Sequence, residues 1–327
     1  MTKRKDSIRW GIIGCGSVTE VKSGPAYRNT EGFEVSAVMR RDADKAADYA
    51  KRHGIPKFYS DADALINDPG VDAVYVATPP DSHKLYGLKV AQVGKPCCIE
   101  KPMAPNYADS LEIHNAFMEK DLPLFIAYYR RSLPRFLRIK QWLQDGVIGR
   151  VRHLRWHLAK PASERDKYGE YNWRTEAHIA PGGYFDDLAS HGLDLFSFLL
   201  GTIVDAKGFA LNQQGLYSAK DAVTANWLHD NDVLGKGSWI FGGFQHEDEV
   251  AITGDTGKIT FSIFHDNPLI LENEGGRQIL EIANPGHIQQ HHVENIKKHL
   301  NGSSTHPSLG SSGLHTSWVM DKILGVL

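Results

Sequence analysis

Short apolar runs alternate with helical stretches from Ile8 to about Ala127, a rhythm that predicts a parallel sheet built from strand-helix-strand units. The runs Ile8 to Ile13, Phe33 to Met39, Val71 to Ala77, Pro96 to Ile99 and Leu122 to Ala127 are rich in Val, Ile and Ala and bounded by Gly, Pro or Asp. Between them, Asp42 to His53 and Tyr107 to Lys120 read as helices, the second with Asn106 in the N-cap position. After Ala127 the texture changes. A helix is expected at Pro134 to Asp145, then an alternating strand at Val151 to Leu158, an irregular stretch to Pro181 and an apolar helix ending at Leu200. Strand-like runs then follow closely: Ala206 to Leu211, Ala222 to Leu228, Gly237 to Phe241, Glu249 to Thr253, Lys258 to Phe264, Leu269 to Asn273 and Gln278 to Ile282. Asp255-Thr256-Gly257 and Glu274-Gly275-Gly276 read as hairpin turns, so a largely antiparallel open sheet is expected here. Helices at His291 to Leu300 and Thr316 to Leu324 close the chain, with Gly302 to Gly313 read as a loop. The pattern predicts two domains, residues 1–127 and 128–327, the C-terminal helix being free to pack back on the first.

Composition narrows the partners. With 37 basic and 39 acidic residues among 327, the chain has no electrostatic footprint for nucleic acid or an anionic membrane. A small ligand of little charge fits better. Met1 to Arg9 is polar, without the apolar core of a signal peptide, and no run approaches the roughly 20 apolar residues of a spanning helix, so a cytoplasmic protein is expected. Cys15, Cys97 and Cys98 suit neither a disulfide framework nor a zinc site and read as reduced core residues. Gln289-Gln290-His291-His292 lacks a Cys, Asp or Glu at ligand spacing and reads as a polar helix face, so no metal is expected.

Gly14-Cys15-Gly16-Ser17-Val18-Thr19 follows the first strand directly. Two glycines there allow a tight turn and bring backbone N–H groups close to a pyrophosphate, while Thr19 replaces the usual third glycine and Gly24-Pro25 disturbs the helix that should follow. The second strand ends in Arg40-Arg41-Asp42, where an NAD site ordinarily carries an acid for the ribose 2′-hydroxyl. A guanidinium pairs instead with a 2′-phosphate, so NADP is expected, with NAD as the alternative. Thr78-Pro79-Pro80 closes the next strand at the same edge, with His83 as a further candidate cofactor contact. Glu100-Lys101-Pro102 closes another, and the carboxyl ends of such strands are where ligands gather.

In the second half, Gly182-Gly183 leads into Asp187, His191 and Asp194, which lie at i, i+4 and i+7 and share one face of an otherwise apolar helix. Together these residues resemble the glucose-fructose oxidoreductase and inositol dehydrogenase (Gfo/Idh/MocA) family, over nearly the whole chain. Glu100-Lys101-Pro102 matches the family's Glu-Lys-Pro motif, and the glycine lead into Asp187-x-x-x-His191 matches its catalytic helix. The resemblance implies a Rossmann domain followed by an open-faced sheet domain, with the active site in the cleft between. It implies that Lys101, Asp187 and His191 form the catalytic triad. Trp173-Arg174 is similar to the family's element near cofactor or substrate, and Tyr128-Tyr129-Arg130-Arg131 to its segment leaving the last Rossmann strand. Thr19 is a departure that bears on the phosphate turn.

The chemistry expected is hydride transfer between nicotinamide and a carbinol or carbonyl carbon, with His191 as acid-base group and Lys101 holding the oxygen, or Lys101 itself donating the proton. Asp187 would orient the pair. Lys101, Arg130, Lys160, Tyr168, Arg174 and Tyr184 can offer hydrogen bonds to a sugar, anhydro-sugar or polyol, and residues 159–181 form the expected substrate loop. A homodimer or homotetramer through the C-terminal sheet is expected from Phe209, Leu211, Trp227, Trp239 and Phe241, read as its uncovered face. The alternative function is a catalytically silent NAD(P)-binding regulator of the same fold.

Overall fold

The computed structural model describes residues 7–327, so the reading of Met1 to Arg9 falls mostly outside it. Two compact units divide the chain: Met1–Ser132 with Pro285–Leu314, and Leu133–Asn284 with His315–Leu327. The boundary thus lies at 132/133 rather than 127/128, and a C-terminal segment counts with the first unit.

The first unit contains β1 (Ile8–Ile13), β2 (Phe33–Met39), β3 (Lys57–Tyr59), β4 (Ala73–Val76), β5 (Cys97–Ile99) and β6 (Leu124–Ile126). They form one parallel sheet in the order β3-β2-β1-β4-β5-β6, the doubly wound order of a Rossmann fold. Alternate side chains of the same strands enter two apolar clusters. Ile13, Val74 and Val76 join Leu65, Ile113 and Phe117 on one face, whereas Ile12 and Tyr75 join Tyr27, Tyr49, Val293 and Ile296 on the other. Both faces are therefore covered, which is why these strands read as continuous apolar runs. Asp42 and Asn106 cap their helices, accepting from Lys45 N at 3.1 Å and Asp109 N at 2.8 Å.

The second unit holds β7 (Val151–Lys160), β8 (Ile203–Leu211), β9 (Ala222–His229), β10 (Leu234–Phe241), β11 (Glu247–Gly254), β12 (Gly257–Phe261), β13 (Leu269–Asn273) and β14 (Gly276–Leu280). The sheet runs β14-β13-β12-β11-β7-β10-β9-β8, antiparallel throughout except for the β7–β10 pair. Helix Tyr184–Leu200 covers one face. Its Phe196 meets Trp156 edge-on at 5.6 Å and stacks on Trp227 at 6.0 Å, and its Phe185 meets Trp239 at 5.0 Å. A Cβ at Gly192 would fall 2.3 Å from the Trp156 ring, so that position must stay small for helix and sheet to meet.

This packing corrects the expected interface. Trp227, Trp239 and Phe241 are buried beneath the helix, and of the five residues only Phe209, at 76% exposure, and Leu211, at 55%, are exposed. The last helix begins at Gly310 rather than Thr316, so the expected loop ends at 309. No helix among the described residues is long and apolar enough to cross a membrane.

Candidate active site

In the first unit β1 delivers the chain into a turn that only glycine can make. Gly14 has φ +90°, and a Cβ there would lie 2.7 Å from Thr78 Cγ2 and 2.9 Å from its backbone nitrogen. Gly14 N donates to Met39 O at 2.9 Å, tying the turn to the end of β2. Gly16 opens the five-residue helix Ser17–Val21, and the nearest atom to a Cβ there would be 3.8 Å away, leaving room over the turn. An open glycine turn with backbone amides at its rim fits a dinucleotide's phosphates.

Thr19 proves compatible with this turn. It is wholly buried, its hydroxyl donates to Gly16 O at 2.9 Å, and its own carbonyl accepts from Tyr49 Oη at 2.9 Å. The close approach usually left to a third glycine falls to Gly24, where a Cβ would lie 2.1 Å from Thr19 O. The helix accordingly stops at Val21 and a second starts at Gly24 with Pro25 in its first turn.

Arg40 is half-buried and leans back over this turn, its Nη1 donating to Cys15 O at 3.4 Å, while Arg41 is exposed. Thr78 is half-buried, with Oγ1 accepting from Ser82 Oγ at 2.7 Å; Pro79 is exposed and Pro80 buried. Lys101 follows β5 half-buried, before a cis Lys101-Pro102 bond.

Two expected cofactor contacts are instead braces. His83 is wholly buried between strand ends, with Nε2 2.8 Å from Thr78 O and Nδ1 3.0 Å from Pro102 O, and burial lowers its pKa. The ring has no exposed edge left for a cofactor. Glu100 accepts from Tyr75 Oη at 2.5 Å, from Gln289 Nε2 at 2.8 Å and from Lys101 N at 3.2 Å, which consumes its carboxylate within the unit. Gln289 and His292 are buried rather than on a polar face, His292 Nε2 lying 3.7 Å from Cys98 Sγ. Burial raises the Cys15 thiol to about 11 and Cys97 and Cys98 further, and all three are free cysteines. Arg130 is buried with its guanidinium 5.0 Å from the Tyr129 ring centre.

In the second unit the glycine lead sets the start of the helix Tyr184–Leu200, which carries Asp187 and His191. Gly183 has φ +67°, and a Cβ there would lie 2.2 Å from Lys220 O. Asp187, His191 and Asp194 are all buried, so their shared face is not a solvated one. Arg174 Nε donates to Asp187 Oδ2 at 2.5 Å, and its guanidinium lies 4.3 Å from the centre of the Trp173 ring, which holds the fork in place. The His191 ring meets Phe264 edge-on at 5.9 Å, and Thr316 Oγ1 donates to Asp194 Oδ1 at 3.3 Å. Tyr184 Oη donates to Asp166 at 2.9 Å and accepts from Asn172 Nδ2 at 2.8 Å, while Tyr168 stands 77% exposed.

One group escaped the sequence reading. Asp186 is buried, its Oδ2 accepting from Gly182 N at 2.8 Å. Desolvation, with the charges of Asp321 and Asp187 adding to it against that hydrogen bond, raises its pKa to about 7. The only signal was a second acid beside Asp187.

Comparison with known proteins agrees with both units. The family model described as an oxidoreductase family with NAD-binding Rossmann fold matches residues 8–128, and the GFO/IDH/MocA C-terminal domain matches residues 136–260. An oxidoreductase from Formosa agariphila is 36% identical over 319 residues, 97% of this chain and 98% of its own length. A 1,5-anhydro-D-fructose reductase from Ensifer adhaerens is 31% identical over 198 residues, 59% of this chain and 56% of its own. The solved structure of levoglucosan dehydrogenase in complex with NADH shares the fold, with a TM-score of 0.87 at 21% identity over 97% of this chain and 96% of that one. With its Rossmann sheet, its glycine turn and its Asp187-x-x-x-His191 helix, the chain belongs to the Gfo/Idh/MocA family of oxidoreductases.

Proposed function

We propose that the chain is an NADP-dependent oxidoreductase acting between a carbonyl and a carbinol carbon of a sugar, anhydro-sugar or polyol. Membership of an oxidoreductase family supports the reaction class, and the similarity to a 1,5-anhydro-D-fructose reductase supports the substrate class. The cofactor choice rests on one observation: Arg40 leans over the Gly14–Gly16 turn from the place where an NAD site carries an acid. Arg40 and Arg41 are the proposed partners of a 2′-phosphate, with Gly14, Gly16, Ser17, Val18, Thr78, Pro79 and Pro80 around the dinucleotide. Arg130, Trp173 and Arg174 are proposed to approach cofactor or substrate, and Tyr168 and Tyr184 to meet the substrate.

The nicotinamide, when bound, supplies or accepts the hydride. The chain's own residues handle the proton and the field. Lys101 donates a charge-assisted hydrogen bond to the substrate oxygen and stabilises negative charge as it develops there. His191, as an imidazole, exchanges a proton near neutral pH, and either it or Lys101 delivers the proton to the oxygen. Asp187, paired with Arg174 at 2.5 Å, orients these donors. The exposed sheet face carrying Phe209 and Leu211 is the proposed contact of a homodimer or homotetramer.

Lys101→Ala and His191→Ala test the assignment. Each should stay folded and bind NADP(H) as the parent does, yet lose about a hundredfold or more in turnover. Near-parental rates in both variants would remove the catalytic roles.

A further inference from the structure

Beyond Lys160 the chain leaves β7 at Pro161, and Ser163 caps the short helix Glu164–Lys167. This turn, the start of the catalytic helix, the approach to β9 and the end of β10 together enclose a cavity of about 70 Å³ lined by Lys160, Ser163, Asp166, Tyr184, Tyr217 and Phe241, all in the second unit.

Its polar groups differ in how far the protein itself engages them, and a carboxylate with two donors still has acceptor sites left. Asp166 is buried, and its carboxylate accepts from Tyr184 Oη at 2.9 Å and from Ser163 Oγ at 2.6 Å. The Tyr217 hydroxyl, by contrast, is buried with no hydrogen-bond partner, and the Lys160 ammonium makes no ion pair among the described residues. Desolvation and the charges of Asp221 and Asp166 push the Tyr217 phenol well above its ordinary pKa, so it remains a donor. A buried, unmet hydroxyl costs stability, and an unmet donor that lines one cavity with a carboxylate asks for a ligand that both accepts and donates.

The walls limit that ligand further. Tyr184 lies 5.4 Å from Phe241 and 6.3 Å from Tyr217 between ring centres, which offers apolar faces to C–H groups. The carboxylate of Asp166 disfavours a second carboxylate in the same space. Adjacent hydroxyls on an aliphatic ring satisfy all of these features. The cavity is also joined to the catalytic helix by hydrogen bonds: Tyr184 Oη accepts from Asn172, whose Oδ1 accepts from Arg174 N at 3.3 Å, and Arg174 holds Asp187.

We propose that this cavity is a specificity subsite for the non-reacting, hydroxyl-bearing end of a neutral sugar, with Lys160 and Tyr217 donating to its oxygens and Asp166 accepting from them. The proposal rests on the sugar-oxidoreductase reading above. Tyr217→Phe and Lys160→Met are its determinant variants. Tyr217→Phe removes an unmet hydroxyl, so the empty protein should be as stable as the parent or more so. Binding should nonetheless weaken about fivefold to tenfold in Tyr217→Phe and about tenfold or more in Lys160→Met, the range of one lost neutral or charged hydrogen bond.

Calorimetry measures this on non-reacting complexes: 1,5-anhydro-D-fructose added to protein loaded with NADP+, and 1,5-anhydro-D-glucitol to protein loaded with NADPH. D-glucuronate serves as the anionic control, and steady-state rates are measured in parallel. Weaker binding and a raised KM with kcat kept support the subsite. Unchanged affinity in both variants, tighter binding of glucuronate than of the neutral probes, or no binding of either neutral probe to the parent overturns it. Binding that depends on these two residues without any turnover would instead leave the subsite standing and remove the enzymatic reading.

Discussion

At a single position, Arg40 carries the proposed choice between two cofactors. A charge-assisted pair with phosphate contributes roughly 1.5 to 3 kcal/mol, so Arg40→Asp should weaken NADP(H) about tenfold or more and change NAD(H) little, as read by fluorescence titration. Equal parental affinities for the two cofactors would contradict the preference. Asp186 carries a second prediction, because its carboxyl is held at about 7 when folded against an ordinary value of 3.8. Between those values the folded chain keeps a proton that the unfolded chain releases, so this group's contribution to stability falls as pH rises from about 4 to about 7. Asp186→Asn does not titrate, and its Tm relative to the parent should therefore be higher at about pH 8 than at about pH 4.5; a constant difference would contradict the burial argument. Lys101, Asp187 and His191 stand out in the sequence as candidates because they sit in motifs with a defined spacing. Lys160 and Tyr184 stand in the sequence as candidate sugar donors, but Asp166 and Tyr217 do not, and only the sheet topology gathers the four around one cavity. His83 was misread for the opposite reason: a histidine after a strand end looks available until both nitrogens are found on carbonyls.

Elements were legible where periodicity ran long. The strands Ile8–Ile13, Phe33–Met39 and Leu269–Asn273 fall where the apolar runs place them, and Asn106 caps its helix as its residue type suggests. Lys57–Tyr59 was missed because three residues at a sheet edge, two of them exposed, carry no period at all. The stretch from Gly310 looked like a loop for its small residues. In the structure those residues are the packing surface: a Cβ at Gly310 would lie 2.7 Å from Leu124, and one at Gly313 would lie 2.5 Å from Ile126. The parallel β7–β10 pair was equally hidden, since strand direction within a mixed sheet depends on partners some eighty residues apart and leaves no mark on either strand's own pattern.

For the whole molecule, chain order and structural unit part company at 285–314. Val293 and Ile296 fill the core of the first unit and Leu309 bridges to Phe125, contacts whose destination no local pattern announces. The exposed sheet face, with Phe209 at 76% and Leu211 at 55% exposure, carries the assembly prediction. Sedimentation at micromolar concentration should give a dimer or tetramer, and Phe209→Lys should shift it toward monomer; a parental monomer would remove this interface.

Turnover of a sugar-like carbon with a nicotinamide cofactor is read directly by the absorbance of the reduced cofactor. Purified protein is screened against keto-sugars, anhydro-sugars and polyols with NADP(H) and NAD(H) side by side. At least one of these compounds should be turned over, faster with NADP(H) than with NAD(H). Tight NADP(H) binding with no oxidation or reduction of any compound would contradict it, and would favour a catalytically silent regulator of the same fold.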